Sequence, residues 1–558
     1  MKRTNAMKPT WTPPGPGSWV CERSHGSPGF TPLYRRIVSE HTAPTYRQVF
    51  ADYGGAVDTL DMQFVNGACY RRLVPLVGAA KDTGKVPPKP VLWLATRLHP
   101  EFRRREKQAR STMENRSFLD DIRAWNQRER GQWRAENLAL QAIDPASLDD
   151  AALAQHLGHL DQHLVKGWRR HHQLHGSDLG PIGDLLAHAK QWGLDLTAVM
   201  GLLRGASPAT VDAARHGTKM AEALRAGGVD PEAVSSVEEI RSVPAAGAAL
   251  VDYLDEFGWR LISNYDFEGL TLNEVPAAVF AIIRRAAVAN ASEPTNDGAH
   301  HTRVAEIRSQ VSDPALFEEL LDSARQAYGV RDDNGPLTWE WPAGLTRRAY
   351  LEAGSRLGAN GRLLDASHVF ELDIPELAAL LAGAASPTAD ELADRASHRD
   401  WEATLEAPDL LGPTPAEPDL SPLPPGIRRT MGLILTAVTM LDPDPAQADT
   451  VLSGLGIGTK PYTGRAQVAD DANRAIQDMK PGDVLVAPWT APSYNAVLSI
   501  AGGVVVQEGG LLCHAAVMAR ELDIPAVVGC TGAMSEIHTG DLVEIDPVAG
   551  VVRIVSPA

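Results

Sequence analysis

The chain has 558 residues and a formal net charge of −17, which argues against a general nucleic-acid binder and leaves room for two or more domains with substantial cores. Hydrophobic residues are 44% and charged residues 22%, the balance of a soluble globular protein, and the apolar-looking run at 431–441 is too short to span a bilayer. Cys21, Cys69, Cys513 and Cys530 form no CxxC pair, which argues against a zinc ribbon and points to a reduced compartment.

Residues 1–17 are rich in Pro and Gly and are expected to be extended. Their basic start runs into prolines and not into an apolar h-region, so it is not a secretory signal, and a cytoplasmic location is expected. Residues 18–33 read as an extended arm anchored by Trp19, with His25 in a turn-rich context before Pro28 and Pro32. FVNGACY, at 64–70, reads as a short strand or turn. A long charged helix pattern begins after Pro100; its cluster Arg103, Arg104, Arg105 and Lys107 reads as a solvated face, because acidic residues soon interleave with it.

Residues 146–205 are expected to be helical, with Ser147 as N-cap and Leu153, Leu157, Leu160 and Leu164 at helical spacing. His156, His159 and His163 share one face, but no Glu accompanies them as in HExxH, so a polar helix face is favoured over a metal site. The stretch GWRRHHQLHG then sets Trp168 beside His171 and His172, a titratable aromatic wall for a pocket. Gly258 is a plausible helix C-cap. Arg260 is either a planar fork for a phosphate or carboxylate, or a helix-terminal arginine satisfying carbonyls. Asp332, Asp333 and Asn334, after Arg331, bunch two carboxylates and an amide in what reads as a turn before a proline. Mutual repulsion raises the pKa of one such carboxylate and suits it to act as a base; equally, Asp and Asn are ordinary turn residues.

Residues 407–425 hold seven prolines and read as a linker or strap, followed by a helix over 427–441. Beyond about residue 452 the pattern becomes β-branched strands at 483–487, 503–507, 525–529, 542–546 and 551–555, with two helices between them. The run GGLLCHAAVMARELDIPAVVG at 509–529 organises this part. Gly509 and Gly510 permit a sharp turn, residues 515–522 are good helix formers, and Asp523 and Pro525 stop the helix. His514 therefore sits at a helix N-terminus, where unpaired N–H groups favour an anion, and a neutral imidazole is a competent nucleophile. On spacing alone, the favoured reading of His514 is a residue that merely caps a helix after a Gly-Gly turn.

This run resembles the phosphohistidine signature of the phosphoenolpyruvate-utilising enzymes, through Gly509, Gly510, Cys513, His514, Ala515, Ala516, Ala519, Arg520, Glu521, Pro525, Ala526, Val527 and Gly529. The position before the histidine is often a hydroxyl residue in that family and is Cys513 here. The resemblance implies that His514 carries a phosphoryl group between two sites, with Gly509, Gly510, Cys513 and Arg520 around the phosphate. A second stretch, 324–381, is similar to the substrate domain of the subgroup containing phenylphosphate synthase and rifampicin phosphotransferase: Ala324 to Asn334, then Arg347, Arg348, Leu351, Gly354, Leu357, Gly361, Asp365 and a Val369-Phe370-x-Leu372 strand. By that likeness His25, Trp168, His171, His172, Arg260, Arg331 and Asn334 line the substrate site, and Asp332 or Asp333 is the catalytic base.

The implied architecture is multidomain: a mainly α-helical substrate domain at 1–406, a Pro-rich linker and tether helix at 407–440, and an α+β (β/β/α) swivelling phosphohistidine domain at 441–558. Full-length relatives contain an ATP-grasp domain or a phosphoenolpyruvate-binding barrel. No GxxxxGK[ST] loop is seen here, and nothing follows the carrier domain. The expectation is a two-component phosphotransferase. A separate ATP-grasp subunit, like the N-terminal part of pyruvate phosphate dikinase, binds ATP and Mg²⁺ and phosphorylates His514. His514 then passes the group to the hydroxyl of a small organic substrate, with phosphate elimination and net dehydration as a further outcome. No metal, nucleic acid or membrane is expected on this chain itself. The alternative is a degenerate carrier joined to a binding or regulatory module; the intact Gly-Gly-x-x-Cys-His run favours the first.

Overall fold

Asp150–Gln191 form one 42-residue helix against which much of the N-terminal region packs. A computed structural model describes residues 9–23, 29–79, 87–262, 264–292, 297–415, 419–439, 452–470, 472–490 and 494–558. The long helix begins at Asp149, whose carboxylate accepts the Ala152 N–H at 2.8 Å. Ser147, expected as the cap, instead ends the preceding 3₁₀ turn Pro145–Ser147; Asp149 supplies the stronger acceptor at the point where the backbone turns helical. Leu153, Leu157, Leu160 and Leu164 are all fully buried, as their spacing predicts. Farther along, Gly167 allows close approach to the facing segment: a Cβ there would lie 1.9 Å from the Thr338 carbonyl oxygen.

That facing segment corrects a sequence expectation. Asp332, Asp333 and Asn334 are not in a turn. They lie in the last turn of helix Pro314–Gly335, which continues through the π-helix Pro336–Glu340 into helix Trp341–Ala359. Pro336 and Pro342 each lack an N–H, and a wide π turn accommodates that defect without ending the helix. Turn propensity loses here because each of the three side chains finds a tertiary partner. The expected Val369-Phe370 strand is likewise a 3₁₀ helix, Ala366–Glu371, started by the Asp365 carboxylate accepting the Ser367 N–H at 2.8 Å.

A small antiparallel sheet closes one side, with β1 (Trp19–Cys21), β2 (Val57–Val65), β3 (Ala68–Pro75) and β4 (Leu410–Leu411) in the order β2-β3-β1-β4. FVNGACY is the β2–β3 hairpin, turned by Asn66 at φ 45 and Gly67 at φ 78, both left-handed as a two-residue hairpin loop requires. The β1–β4 pairing brings the Pro-rich strap back to the N-terminal arm before helix Pro425–Thr439.

The C-terminal region is a seven-stranded sheet: β5 (Leu455–Ile457), β6 (Tyr462–Val468), β7 (Val484–Ala487), β8 (Gly503–Val506), β9 (Ala526–Val528), β10 (Leu542–Asp546) and β11 (Val551–Ser556), in the order β11-β10-β6-β7-β8-β9-β5. β6 to β9 run parallel, and the outer strands pair antiparallel. Parallel strands need crossovers, supplied by helices Ala472–Asp478, Asn495–Leu498 and His514–Leu522; with Ala533–Glu536 there are four short helices among the described residues, not two. Both sheet faces are covered. Leu485, Val504 and Val506 pack with Ala515, Ala516 and Ala519 on one side, and Val484, Val486 and Val505 pack with Ala533 and Ile537 on the other. Two-sided burial explains why these strands read as continuous apolar runs.

Candidate functional site

His514 opens the helix that leaves the carboxyl end of β8. Thr490 lies just beyond the carboxyl end of β7, and Asn495 opens the next helix. The three side chains meet at the edge of the parallel sheet where open α/β folds bind ligands. Thr490 Oγ1 is 3.1 Å from His514 Nδ1, and Asn495 Oδ1 is 2.8 Å from Nε2. Burial pushes the His514 pKa down to about 3, so the ring is neutral near pH 7 and holds a nucleophilic lone pair.

The loop before His514 is held from beneath. Gly509 takes φ 114, and a Cβ there would lie 2.8 Å from Cys513 Sγ. Cys513 is the extended N-cap residue; burial pushes its thiol up to about 11, so it stays protonated and brings no negative charge to the helix N-terminus. Arg520 is buried and turns back under the loop, donating from Nη1 to the Leu511 carbonyl at 2.6 Å. Its place is at the base of the loop, facing Tyr328 of the helical region.

This loop is docked. Leu511, Leu512 and Val517 pack into the main apolar core of the helical region. The Glu521 carboxylate accepts the Gly205 N–H at 3.0 and 3.1 Å, and Asp523 pairs with Arg204 at 3.1 Å. Glu508 approaches Arg23 and Cys21 closely enough to act on their ionisation.

The helical region holds a polar network of its own, spread over helices Asp150–Gln191 and Pro314–Gly335. Asp178 is fully buried and pairs with Arg331 Nη1 at 3.1 Å. Its Oδ2 is 2.9 Å from His175 Nδ1. His175 Nε2 lies 3.1 Å from His171 Nε2, and His171 Nδ1 is 2.5 Å from Asn334 Oδ1. Asp332, one turn past Tyr328, receives the Ser207 hydroxyl. Glu340 is buried; burial, opposed by Arg260 and assisted by Asp332, pushes its pKa up to about 8, which keeps it a neutral acid at pH 7. A Cβ on Gly335 would lie 3.6 Å from His171 Cε1 and 3.9 Å from Glu340 Oε1, so the glycine keeps the space between them open.

The residues expected from the sequence are distributed unevenly over this geometry. His171, Arg331 and Asn334 come together in the network. His172 stands beside it, its Nδ1 3.2 Å from the Tyr46 hydroxyl. Trp168 is core: it donates to Thr42 Oγ1 at 3.1 Å and packs on Trp339 at 4.9 Å. Arg260 takes the helix-terminal role, donating to the Glu256 carbonyl at 3.0 Å and stacking on Phe257 at 4.2 Å. Asp333, one of the two base candidates, is buried and accepts from Trp125 Nε1 at 3.1 Å and Arg130 Nε at 2.8 Å. Both partners engage its carboxylate oxygens within the helical core, a structural tie and not a site for an incoming hydroxyl. Asp332 and Asp333 therefore face different neighbours and do not form a repelling pair. His25 lies outside the described residues. His175, Asp178, Ser207, Glu340, Thr490 and Asn495 were missed; for His175 and Asp178 the signal was present, since they follow His171 at i+4 and i+7 on one helix face. Among the described residues no group of three or more His, Cys, Asp or Glu is placed to hold a metal ion. No helix among them is long and apolar enough to cross a membrane.

Two family models match this chain: the PEP-utilising enzyme mobile domain over residues 479–550, and the rifampicin phosphotransferase fourth domain over residues 209–332. The chain is 25% identical over 320 residues to an uncharacterized phosphotransferase, YvkC, of Bacillus subtilis, covering 55% of this chain and 36% of that protein. It is 26% identical over 343 residues to rifampicin phosphotransferase of Streptomyces sviceus, covering 57% and 36%. A probable phosphoenolpyruvate synthase of Pyrococcus abyssi is 41% identical over 106 residues, 19% of this chain and 13% of that one. The chain thus spans little more than a third of the length of YvkC and of rifampicin phosphotransferase.

Proposed function

From a chain that joins a PEP-utilising, phosphohistidine mobile domain to a rifampicin phosphotransferase fourth domain, we infer a phosphotransferase in which His514 carries the phosphoryl group to the hydroxyl of a small organic acceptor held by the helical region. The observation that carries this reading is the placement of His514: a neutral imidazole at a helix N-terminus, between Thr490 and Asn495, on a loop packed into the helical region. The helix N–H groups receive the developing phosphate charge. An acceptor held by the helical region against the docked loop makes the proposed transfer effectively unimolecular. In this reading the phosphoryl donor is an ATP-grasp domain on a separate protein, which holds ATP and Mg²⁺. Loss of phosphate from the product, with net dehydration, is the outcome when the acceptor carbon chemistry permits elimination.

The test is phosphorylation of the purified chain with ATP, magnesium and its donor protein. An acid-labile label on His514, absent from His514→Ala, is expected; full turnover by His514→Ala overturns the reading.

A further inference from the structure

We propose that Asn495 is a positioning residue that holds the His514 ring proton on Nε2 in the unphosphorylated carrier, and that its side chain swings aside before that nitrogen takes the phosphoryl group. The inference rests on the phosphotransferase reading and deepens it by naming the residue that controls the carrier histidine.

A neutral imidazole has one N–H and one lone pair, and its neighbours decide which nitrogen has which. Thr490 does not decide. Its hydroxyl, 3.1 Å from Nδ1, can donate to a lone pair or accept from an N–H. Asn495 does decide. It turns its amide oxygen to Nε2 at 2.8 Å, and an amide oxygen only accepts. The ring proton is therefore on Nε2, and the Nδ1 lone pair receives the Thr490 hydroxyl. This is the wrong tautomer for attack through Nε2, and the Asn495 side chain lies across the approach to that nitrogen.

Nε2 is still the easier nitrogen to free. Nδ1 adjoins the ring's own backbone attachment, and its partner Thr490 follows closely on β7. Asn495 opens a short helix whose backbone is fixed by buried Tyr494, Val497 and Leu498. Its side chain is half-buried and makes no second hydrogen bond among the described residues. Releasing it breaks one hydrogen bond, about fivefold in an equilibrium. Once it swings away, Nε2 gives its proton to water and Nδ1 takes one up, donating it to the Thr490 oxygen, so the ring stays neutral. The Nε2 lone pair then attacks the terminal phosphorus of the donor nucleotide. The N–P bond forms, the bond from phosphorus to the leaving oxygen breaks, and that oxygen keeps the electron pair. The proton on Nδ1 stays in place.

The first test is ¹⁵N-histidine NMR of the full unphosphorylated chain at pH 7, with the His514 signals identified by their absence from His514→Ala. The parent ring should be protonated on Nε2, and in Asn495→Ala the two tautomers should mix. A parent ring protonated on Nδ1, or an Asn495→Ala ring identical to the parent's, overturns the proposal. The second test phosphorylates each chain with phosphoramidate and follows the label on His514 Nε2. Asn495→Ala should react about threefold faster or more, because nothing holds the Nε2 proton. Asn495→Asp should react about threefold slower or more, because a carboxylate holds that proton more strongly and repels an incoming anion. Any other order of the three rates, or a label on Nδ1, overturns the proposal. The tautomer is read with no phosphate present, so its failure is distinct from an absence of label on His514, which would sink the phosphotransferase reading.

Discussion

His514 and His171 are both half-buried imidazoles on helices, yet their surroundings differ in kind. His514 is touched by two neutral side chains, Thr490 and Asn495, and its ring is kept neutral by burial alone. His171 sits in a network of a second histidine, a buried carboxylate, an arginine and an amide spread over two helices. The carrier site needs only a poised lone pair and a place for phosphate, which one loop and one helix supply. The network around His171 instead balances a buried carboxylate, an arginine, an amide and two imidazoles against one another. Simplicity lets the first site be written in one contiguous run, whereas the second exists only after folding.

The sharpest way to break this comparison is to ask whether a charged group of the helical region is structural or catalytic. Asp333 is bound by Arg130 and Trp125 and serves to tie helix Pro314–Gly335 to the 125–130 segment. Arg130→Ala strands a buried carboxylate and should cost about 3 kcal/mol, the scale for breaking a buried pair. Thermal unfolding should show it as a lowered midpoint, and Asp333→Asn should lower the midpoint less. Phosphoryl loss from phospho-His514 should be unchanged in Asp333→Asn. A hundredfold slower transfer with an unchanged midpoint would return Asp333 to the chemistry.

How much of this was legible beforehand follows from the same contrast. Gly509, Gly510 and His514 announce their geometry locally, since a glycine turn, a run of helix formers and a stop at Asp523 need no distant partner. The strands β7 to β9 were legible because they are apolar on both faces. The acceptor face was not. Asp332, Asp333 and Asn334 have turn-like chemistry, and only Ser207, Arg130 and His171, each more than a hundred residues away in sequence, make them helical. Trp168 and Arg260 look like pocket residues by type, and the fold uses the first as core and the second as a helix-end clamp.

The docking contact between the regions sharpens the comparison at an intermediate scale. Glu521 accepts from Gly205 and is flanked by Arg204, Arg325, Asp332 and Asp523. Burial is the main cause that pushes its pKa up to about 7 in the docked form. A raised carboxylate favours the docked state when protonated. Docking is therefore at full strength below the ordinary glutamate value of about 4.3 and weakens as pH rises through about 7. Energy transfer between dyes on the two regions should report more undocked carrier at pH 8 than at pH 6. Glu521→Gln keeps an acceptor for Gly205 and should abolish that difference, holding the carrier docked at both values. A pH response identical in Glu521→Gln would place the sensitivity elsewhere.

The smallest expected effect is the most discriminating for His514 itself. A histidine with the ordinary pKa of about 6.5 is roughly 97% protonated at pH 5 and loses about thirtyfold of its nucleophilic form between pH 8 and pH 5. Burial depresses the His514 value to about 3, so its neutral form persists across that range. The sign is that of a group whose charged form is penalised by folding: the carrier region loses stability only as pH falls below the ordinary value toward 3, and His514 stays a nucleophile throughout. In ¹⁵N NMR the His514 ring signals should hold their neutral positions from pH 8 to pH 5. His514 signals moving with a midpoint near 6.5 would show that the ring is solvated in solution. The docked loop would then be a minority state, and the contrast between a dry His514 and the hydrogen-bonded histidines of the helical region would fall with it.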